Sequence, residues 1–353
     1  MKKLLKIILI IVLVCVLAVV GLFGVLTIFE YRPAETETAE TSEGATETVS
    51  TGDELTVMTW NIGYGALGDN ADFFMDGGDH VMTADTERVN ENMENILSTI
   101  NDVSPDIAFL QEVDKNSMRS RSVNEVELIR DGFMSTDTSF AYNFKVLFIP
   151  YPVPPMGWVN SGIMTTSKYT IDEATRYRLP CPFSWPVSVA NLKRCIVVNR
   201  IALEDSDSEL VVVNLHLEAY DDGEGKAAQT KLLLEILNQE ADKGNYVIAG
   251  GDFNQAFPNT DSSKYPMYDG MWQPGVLNAE DFEGWQLVTD DTYPTCRSLD
   301  QPYADADKEN FQYYVIDGFI VSDNLEVESV ETQNLDFVSS DHNPIVMKVS
   351  FGN

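Results

Sequence analysis

The run Val247-Ile248-Ala249-Gly250-Gly251-Asp252-Phe253-Asn254 puts a carboxylate and an amide directly after a short apolar stretch. Such a run reads as a buried strand ending in a tight turn, the place where open α/β sheets hold their ligands. Other polar residues occupy comparable positions. Asn61 follows Leu55, Val57 and Thr59 on one strand face, and Glu112 closes the apolar run Ile107-Ala108-Phe109-Leu110. His216 alternates with Val213, Leu215 and Leu217, and Asp317 interrupts the strand pattern from Tyr313 to Val321. Asp341-His342 stands just before Pro344-Ile345-Val346-Met347. A carboxylate in such surroundings is costly unless it is paired or metal-bound. Each site alone has an ordinary reading as a strand-end cap, a structural histidine or a turn. The third histidine, His80, lies in a glycine-rich loop and is given no role.

Together, Asn61, Glu112, His216, Asp252, Asn254, Asp317, Asp341 and His342 form one chemical set. Carboxylates and amides without thiolates are donors for a hard cation, Mg²⁺ with Mn²⁺ as the alternative. Such a cation offsets phosphate charge while carboxylates and histidines handle protons. The set suits cleavage of phosphate esters. No Cys/His cluster has zinc spacing, and no Gly-x-Gly-x-x-Gly or phosphate-binding loop follows any strand.

The elements that must position these residues follow from periodicity. Strands are expected at Leu55–Gly63, Asp106–Val113, Phe140–Phe148, Gly162–Thr166, Cys195–Leu203 and Glu209–Leu217, and again at Tyr246–Ala249, Tyr313–Val321, Glu326–Val330 and Ile345–Val349. Val89, Met93, Ile96, Leu97, Ile100 and Val103 recur at helical spacing, with Thr86 as cap. A second helix runs from about Gly225 to Ala241. The Tyr64–Asp85 loop, containing Phe73-Phe74-Met75-Asp76-Gly77-Gly78, is long enough to be functional or mobile. Many strands, two helices between strand pairs and short β-to-β links predict an α/β (α+β) fold. In it, two mixed sheets pack face to face as a sandwich flanked by helices.

The 353 residues divide into three parts on composition. Ile7 to Phe29 is uncharged over 23 residues, about 35 Å as a helix against a bilayer core of roughly 30 Å. Lys2, Lys3 and Lys6 precede it, so residues 1–30 read as an uncleaved signal-anchor with the remainder on the extracytoplasmic side. Residues 31–54, rich in Glu, Thr, Ala and Ser, are expected to be a flexible acidic stalk. Residues 55–353 form one catalytic-sized domain. With 23 basic against 56 acidic residues, the net charge of −33 disfavours a long nucleic-acid footprint. Cys181 and Cys195 have the option of a disulfide in an oxidising compartment, although sequence does not fix connectivity.

The motifs, in their order, resemble those of the endonuclease/exonuclease/phosphatase superfamily, the deoxyribonuclease-I-like fold. Thr59-Trp60-Asn61-Ile62 is similar to the first motif and Leu110-Gln111-Glu112-Val113 to the second. Asn214-Leu215-His216-Leu217, Gly251-Asp252-Phe253-Asn254, Ile316-Asp317-Gly318-Phe319 and Ser340-Asp341-His342-Asn343 follow, and Asn160-Ser161-Gly162 sits where an Asn-x-Gly is common. The resemblance implies Asn61 and Glu112 at the metal, Asp252 on the attacking water, Asn254 and His342 on the phosphoryl group, and His216 at the leaving oxygen. Asp317 and Asp341 would orient neighbours. Ile316 replaces an arginine frequent in the family, and the DNA-contacting arginine loops have no match. The expected substrate is therefore a small or lipid-linked phosphoester, with FIPYPVPPMGW (148–158) and YPMYDGMW (265–272) as candidate lipid contacts. A surface nuclease and a non-catalytic tethered binding domain are the alternatives, and no protein partner is implied.

Overall fold

A computed structural model describes residues 1–221 and 223–352. Two seven-stranded mixed sheets face each other. The first has the order β1 (Thr36–Thr38), β7 (Glu173–Arg178), β8 (Cys195–Ala202), β9 (Glu209–His216), β10 (Tyr246–Asp252), β16 (Asp317–Ser322), β13 (Trp285–Val288). The second has the order β17 (Leu325–Thr332), β18 (Ile345–Phe351), β3 (Glu54–Asn61), β4 (Ile107–Asp114), β6 (Gly157–Ser167), β5 (Asp137–Ile149), β2 (Glu40–Ser42). Two short pairs, β11 (Gln255–Ala256) with β12 (Gly275–Val276) and β14 (Cys296–Arg297) with β15 (Tyr313–Tyr314), shape loops at the sheet ends.

Each sheet has one parallel pair at its centre, β3 with β4 and β9 with β10. Parallel neighbours need a crossover, and α2 (Thr86–Val103) and α4 (Glu224–Ala241) supply it on the two outer faces. Alternation sorts the side chains. Val57 and Phe109 meet Val212, Ile248 and Phe319 between the sheets, while Met58, Trp60 and Leu110 face Met93, Ile96 and Ile100 of α2. Val211, Val213 and Ala249 face Leu233 and Leu237 of α4. The polar C-terminal residues of β3, β9 and β10, Asn61, His216 and Asp252, thereby finish at one end of the sandwich.

Several expectations need correction. Residues 36–42 are not a free stalk: β1 pairs with β7 and β2 with β5, so the segment ties together one edge of each sheet. Edge pairing uses backbone groups and tolerates Thr and Glu side chains, which is why low hydrophobicity misled. Two small apolar residues suffice for anchorage, Ala39 and Val49, both buried. Asp137 accepts from the Gly44 and Ala45 amides at 2.8 Å each, and Lys115 pairs with Glu40 at 2.7 Å. The Tyr313–Val321 strand is broken at Val315-Ile316, and Asp317 opens β16 instead of lying in its middle. All four cysteines are free, with Cys181 exposed and Cys195 buried, so the optional disulfide is absent. The helix α3 (Glu125–Gly132), β7 and β13 were not expected; their short or polar patterns give weak periodicity.

The Tyr64–Asp85 segment is pinned rather than loose. Arg297 donates from Nη2 to the Gly68 carbonyl at 2.7 Å, Phe73 N to Leu299 O at 2.8 Å, and Tyr303 N to Asp69 O at 2.7 Å. At the N-terminus, α1 (Lys2–Ile28) is one helix long and apolar enough to cross a membrane.

Candidate active site

Register brings the catalytic candidates together. Asp252 ends β10, with His216 opposite it on β9 and Asp317 opposite it on β16. Three adjacent strands thus present His216, Asp252 and Asp317 side by side. His342 reaches the same spot through a bridge between its backbone and that of Cys296. Its Nδ1 lies 2.9 Å from Asp317 Oδ2, and its Nε2 lies 3.8 Å from Asp252 Oδ2. His216 Nε2 is 3.4 Å from the same Asp252 oxygen.

The opposite sheet supplies the other wall. A register shift in β4 between Leu110 and Val113 leaves Glu112 at φ 54°. A left-handed conformation at glutamate is strained by about 1–3 kcal/mol, a cost found mostly where a side chain must be aimed. Here it turns the carboxylate into the cavity, 3.5 Å from Arg119. Arg119 is itself fixed by two contacts to Asp114 (3.0 and 3.1 Å), one to Ser161 Oγ (3.1 Å) and the face of Tyr64 at 3.7 Å.

Asn61 joins the walls by donation. Its Nδ2 gives hydrogen bonds to Asp252 Oδ2 at 3.0 Å and Glu112 Oε1 at 3.5 Å, while its Oδ1 accepts from Gly63 N at 3.1 Å. Asn61 thus clamps two carboxylates, and its oxygen, which accepts one backbone amide, keeps a second lone pair for the metal contact expected of it. Asn254, at φ 51°, donates from its backbone N–H to Asp252 Oδ1 (2.9 Å) and from Nδ2 to the Leu217 carbonyl (3.0 Å). One of its amide hydrogens is therefore already committed. The group that orients His342 is Asp317, whereas Asp341 lies against Gly63, where a Cβ would meet Asp341 Oδ1 at 2.9 Å.

All eight residues are gathered at this site. Seven line a single cavity of about 130 Å³, and Asp317 stands behind His342. The electrostatics follow from burial. Burial and the neighbouring Asp317 push the Asp252 carboxyl upward, and burial raises Asp341 to about 6 with Glu112 contributing. Burial alone would lower His342, but the Asp317 carboxylate more than offsets it and holds His342 well above an ordinary histidine. His216 moves the other way, through burial and then Arg194, and stays neutral.

The donor set suits a hard cation. Glu112 and Asp341 repel one another across the cavity, and no thiol is needed: burial raises Cys296 to about 12, so it stays protonated. Asp252, Asp317 and His342 also place ligand atoms within 4.8 Å of one another, as do Cys296, Asp341 and His342. His342 Nδ1 is spent on Asp317, and the carboxylates of Glu112 and Asp341, which line the same cavity, are further donors of the kind a divalent ion takes.

Sequence reasoning missed the rest of the lining. Arg119 and Arg194, from loops, and Arg297, from the two-residue strand β14, are buried cations without periodic signal. Asp76, from the Phe73–Gly78 turn, accepts a hydrogen bond from Tyr220 OH at 3.0 Å and is raised to about 7 by burial. Ser161 and Asn143 line the cavity where Asn160 was the candidate. His80 pairs with Asp72 at 2.8 Å outside it.

Two facing mixed sheets, crossover helices outside and an acidic, histidine-bearing cavity at the strand ends define a deoxyribonuclease-I-like fold. The chain belongs to the endonuclease/exonuclease/phosphatase family, whose model matches residues 58–342. Members are generally phosphoester hydrolases and typically depend on a divalent metal. Solved structures agree on the fold. An endonuclease/exonuclease/phosphatase from Beutenbergia cavernae is 18% identical with TM-score 0.58, covering 85% of this chain and 72% of that one. One from Bacteroides vulgatus is 15% identical with TM-score 0.54, covering 85% and 99%. TDP2 of D. rerio, in humanized form, is 14% identical with TM-score 0.51, covering 84% and 99%. No protein of curated function matches the chain in sequence.

Proposed function

We propose that the chain is a membrane-anchored, Mg²⁺-dependent phosphoester hydrolase, its catalytic domain extracytoplasmic, acting on a small or lipid-linked phosphoester. The observation that carries this reading is the in-register row His216–Asp252–Asp317, with His342 hydrogen-bonded to Asp317 and facing Glu112 and Asp341 across one cavity. A divalent ion held by Glu112 and Asp341 would supply charge neutralisation at a phosphate oxygen. Asp252, clamped by Asn61 and Asn254, orients the attacking water and takes its proton. His342, held toward its charged form by Asp317, stabilises the phosphoryl oxygens from Nε2. His216, neutral, donates toward the same group. The new bond joins water oxygen to phosphorus as the bond from phosphorus to the ester oxygen breaks; Asp252 holds one proton of the water, and the ester oxygen leaves with a proton from the charged imidazole of His342.

Mg²⁺- and Mn²⁺-supplemented assays of the full chain on phospholipids, inositol phosphates, nucleotides, DNA and RNA test the reading. Cleavage of small or lipid-borne phosphoesters is expected. Rapid degradation of DNA without lipid cleavage would favour the nuclease, which the −33 charge disfavours. Absence of any hydrolysis together with absence of metal binding would leave a binding domain.

A further inference from the structure

The membrane helix does not end in a free tether. Its last turns pack on the domain: Leu26 is 3% exposed, the Phe23 and Trp185 rings meet edge-on at 6.3 Å, and Trp185 Nε1 donates to Thr27 Oγ1 at 3.0 Å. Immediately beyond, Lys193 and Glu30 form an ion pair at 2.9 Å with both side chains 11% exposed. Phe23 stands about 8 Å inside the C-terminal end of α1. Whatever touches Phe23 must share its depth in the bilayer.

Trp185 and its neighbour Val187 are nonetheless open to their surroundings, 61% and 55% exposed. A second open apolar pair, Tyr151 and Val153, adjoins through Phe74, whose ring lies 5.5 Å from that of Tyr151. Between the two pairs runs one apolar cluster: Ala190 and Leu192 pack with Ile149, Phe73 and Phe74 around Phe144 and Val146. Phe73, Phe144 and Leu192 also line the catalytic cavity. Apolar packing thus links the two open pairs to the cavity wall. On a chain of net charge −33, no electrostatic attraction to anionic lipid accounts for it. Burial of aromatic and aliphatic side chains in the interfacial zone does.

We infer that the face bearing Trp185, Val187, Tyr151 and Val153 lies in the same bilayer that holds α1, so that the cavity's apolar wall opens onto the lipid surface. The inference rests on the membrane-anchored hydrolase proposed above, and it narrows the substrate to phosphoester headgroups of lipids in the chain's own membrane. Of the two stretches considered from sequence, it selects the one around Tyr151 and adds Trp185-Pro186-Val187, which periodicity did not single out.

The test uses the full chain in phosphatidylcholine and phosphatidylglycerol vesicles, with Cys15→Ser and Cys181→Ser removing the exposed thiols. An environment-sensitive fluorophore is attached in turn at Val153→Cys, Val187→Cys, Val20→Cys in the helix and Asp207→Cys in the turn that precedes β9, at the end of the strand away from His216. Quenching by nitroxide-bearing lipids is expected at 20, 153 and 187 but not at 207. Quenching at 20 without quenching at 153 and 187 overturns the inference and leaves the anchor standing. No quenching at 20 overturns both.

A second measurement reads the consequence. Val153→Asp and Val187→Asp should leave hydrolysis of soluble bis(p-nitrophenyl) phosphate unchanged and lower hydrolysis of vesicle phosphodiester by about tenfold. Equal losses on both substrates would refute a lipid-facing role. If the unmodified chain hydrolyses neither, the proposed activity fails while quenching still decides the surface.

Discussion

His342 Nδ1 and Asp317 Oδ2 lie 2.9 Å apart, both side chains buried. A buried carboxylate against a histidine fixes which ring nitrogen faces the cavity and favours the charged imidazole. Asp317→Asn keeps the shape and removes the charge. It is expected to lower kcat on a soluble phosphoester by about a hundredfold or more while the variant remains folded. A near-normal kcat would show that Asp317 is only structural.

Glu112→Ala and His342→Ala should each reduce turnover by at least about a hundredfold. Chelation is expected to abolish activity, and added Mg²⁺ to restore it. The milder Asn61→Ala releases the clamp on Glu112 and Asp252 without removing a carboxylate. Its activity should recover at roughly 10–100-fold higher Mg²⁺, a shift measurable by metal titration.

Gly251 lies where β10 passes β9, and a Cβ there would meet the Leu215 carbonyl oxygen at 2.0 Å. Backbone on both sides cannot yield as a flexible side chain would. Gly251→Ala should destabilise the domain by about 2 kcal/mol or more and disturb Asp252 with it. Thermal unfolding beside a kinetic assay reads both effects; an unchanged Tm would contradict the close approach.

Residues 36–49 close one edge of each sheet, with Val49 1% exposed in the inter-sheet core. Val49→Ala is expected to cost about 2 kcal/mol, visible as a lower denaturation midpoint. A freely moving stalk would show no change, so the measurement separates the two descriptions.

Remote from the cavity, Glu240 accepts from Arg200 at 2.6 Å, Lys243 at 2.8 Å and Asn245 at 3.0 Å. Burial opposes its charge, but these donors hold its pKa below the usual 4.5. A lowered folded value adds stability that is complete above the unfolded pKa and lost as pH falls through the folded one. Glu240→Gln should therefore lower Tm near pH 7, by about 1 kcal/mol of stability after allowance for solvent screening. As pH falls below 4.5 and through the folded value the gap should narrow; a constant gap would place the effect in packing.

Local chemistry determined what each strand carries. Apolar runs ending in Asn61, Glu112, His216 and Asp252 are visible because a polar residue closing a buried strand stands out against its period. The helix over 86–103 and the uncharged N-terminal run were legible for the same reason. What the sequence could not determine is register, and register alone sets Asp252 between His216 and Asp317. Nor could periodicity reveal the bulge that aims Glu112, the buried arginines of the cavity, or the docking of Trp185 on Phe23. These depend on contacts between residues far apart in the chain, whose energies exist only once the sheets have closed on one another. Residues 36–49 mark the boundary between the two kinds of information. Their composition describes side chains, but backbone hydrogen bonds to waiting strand edges decided their place.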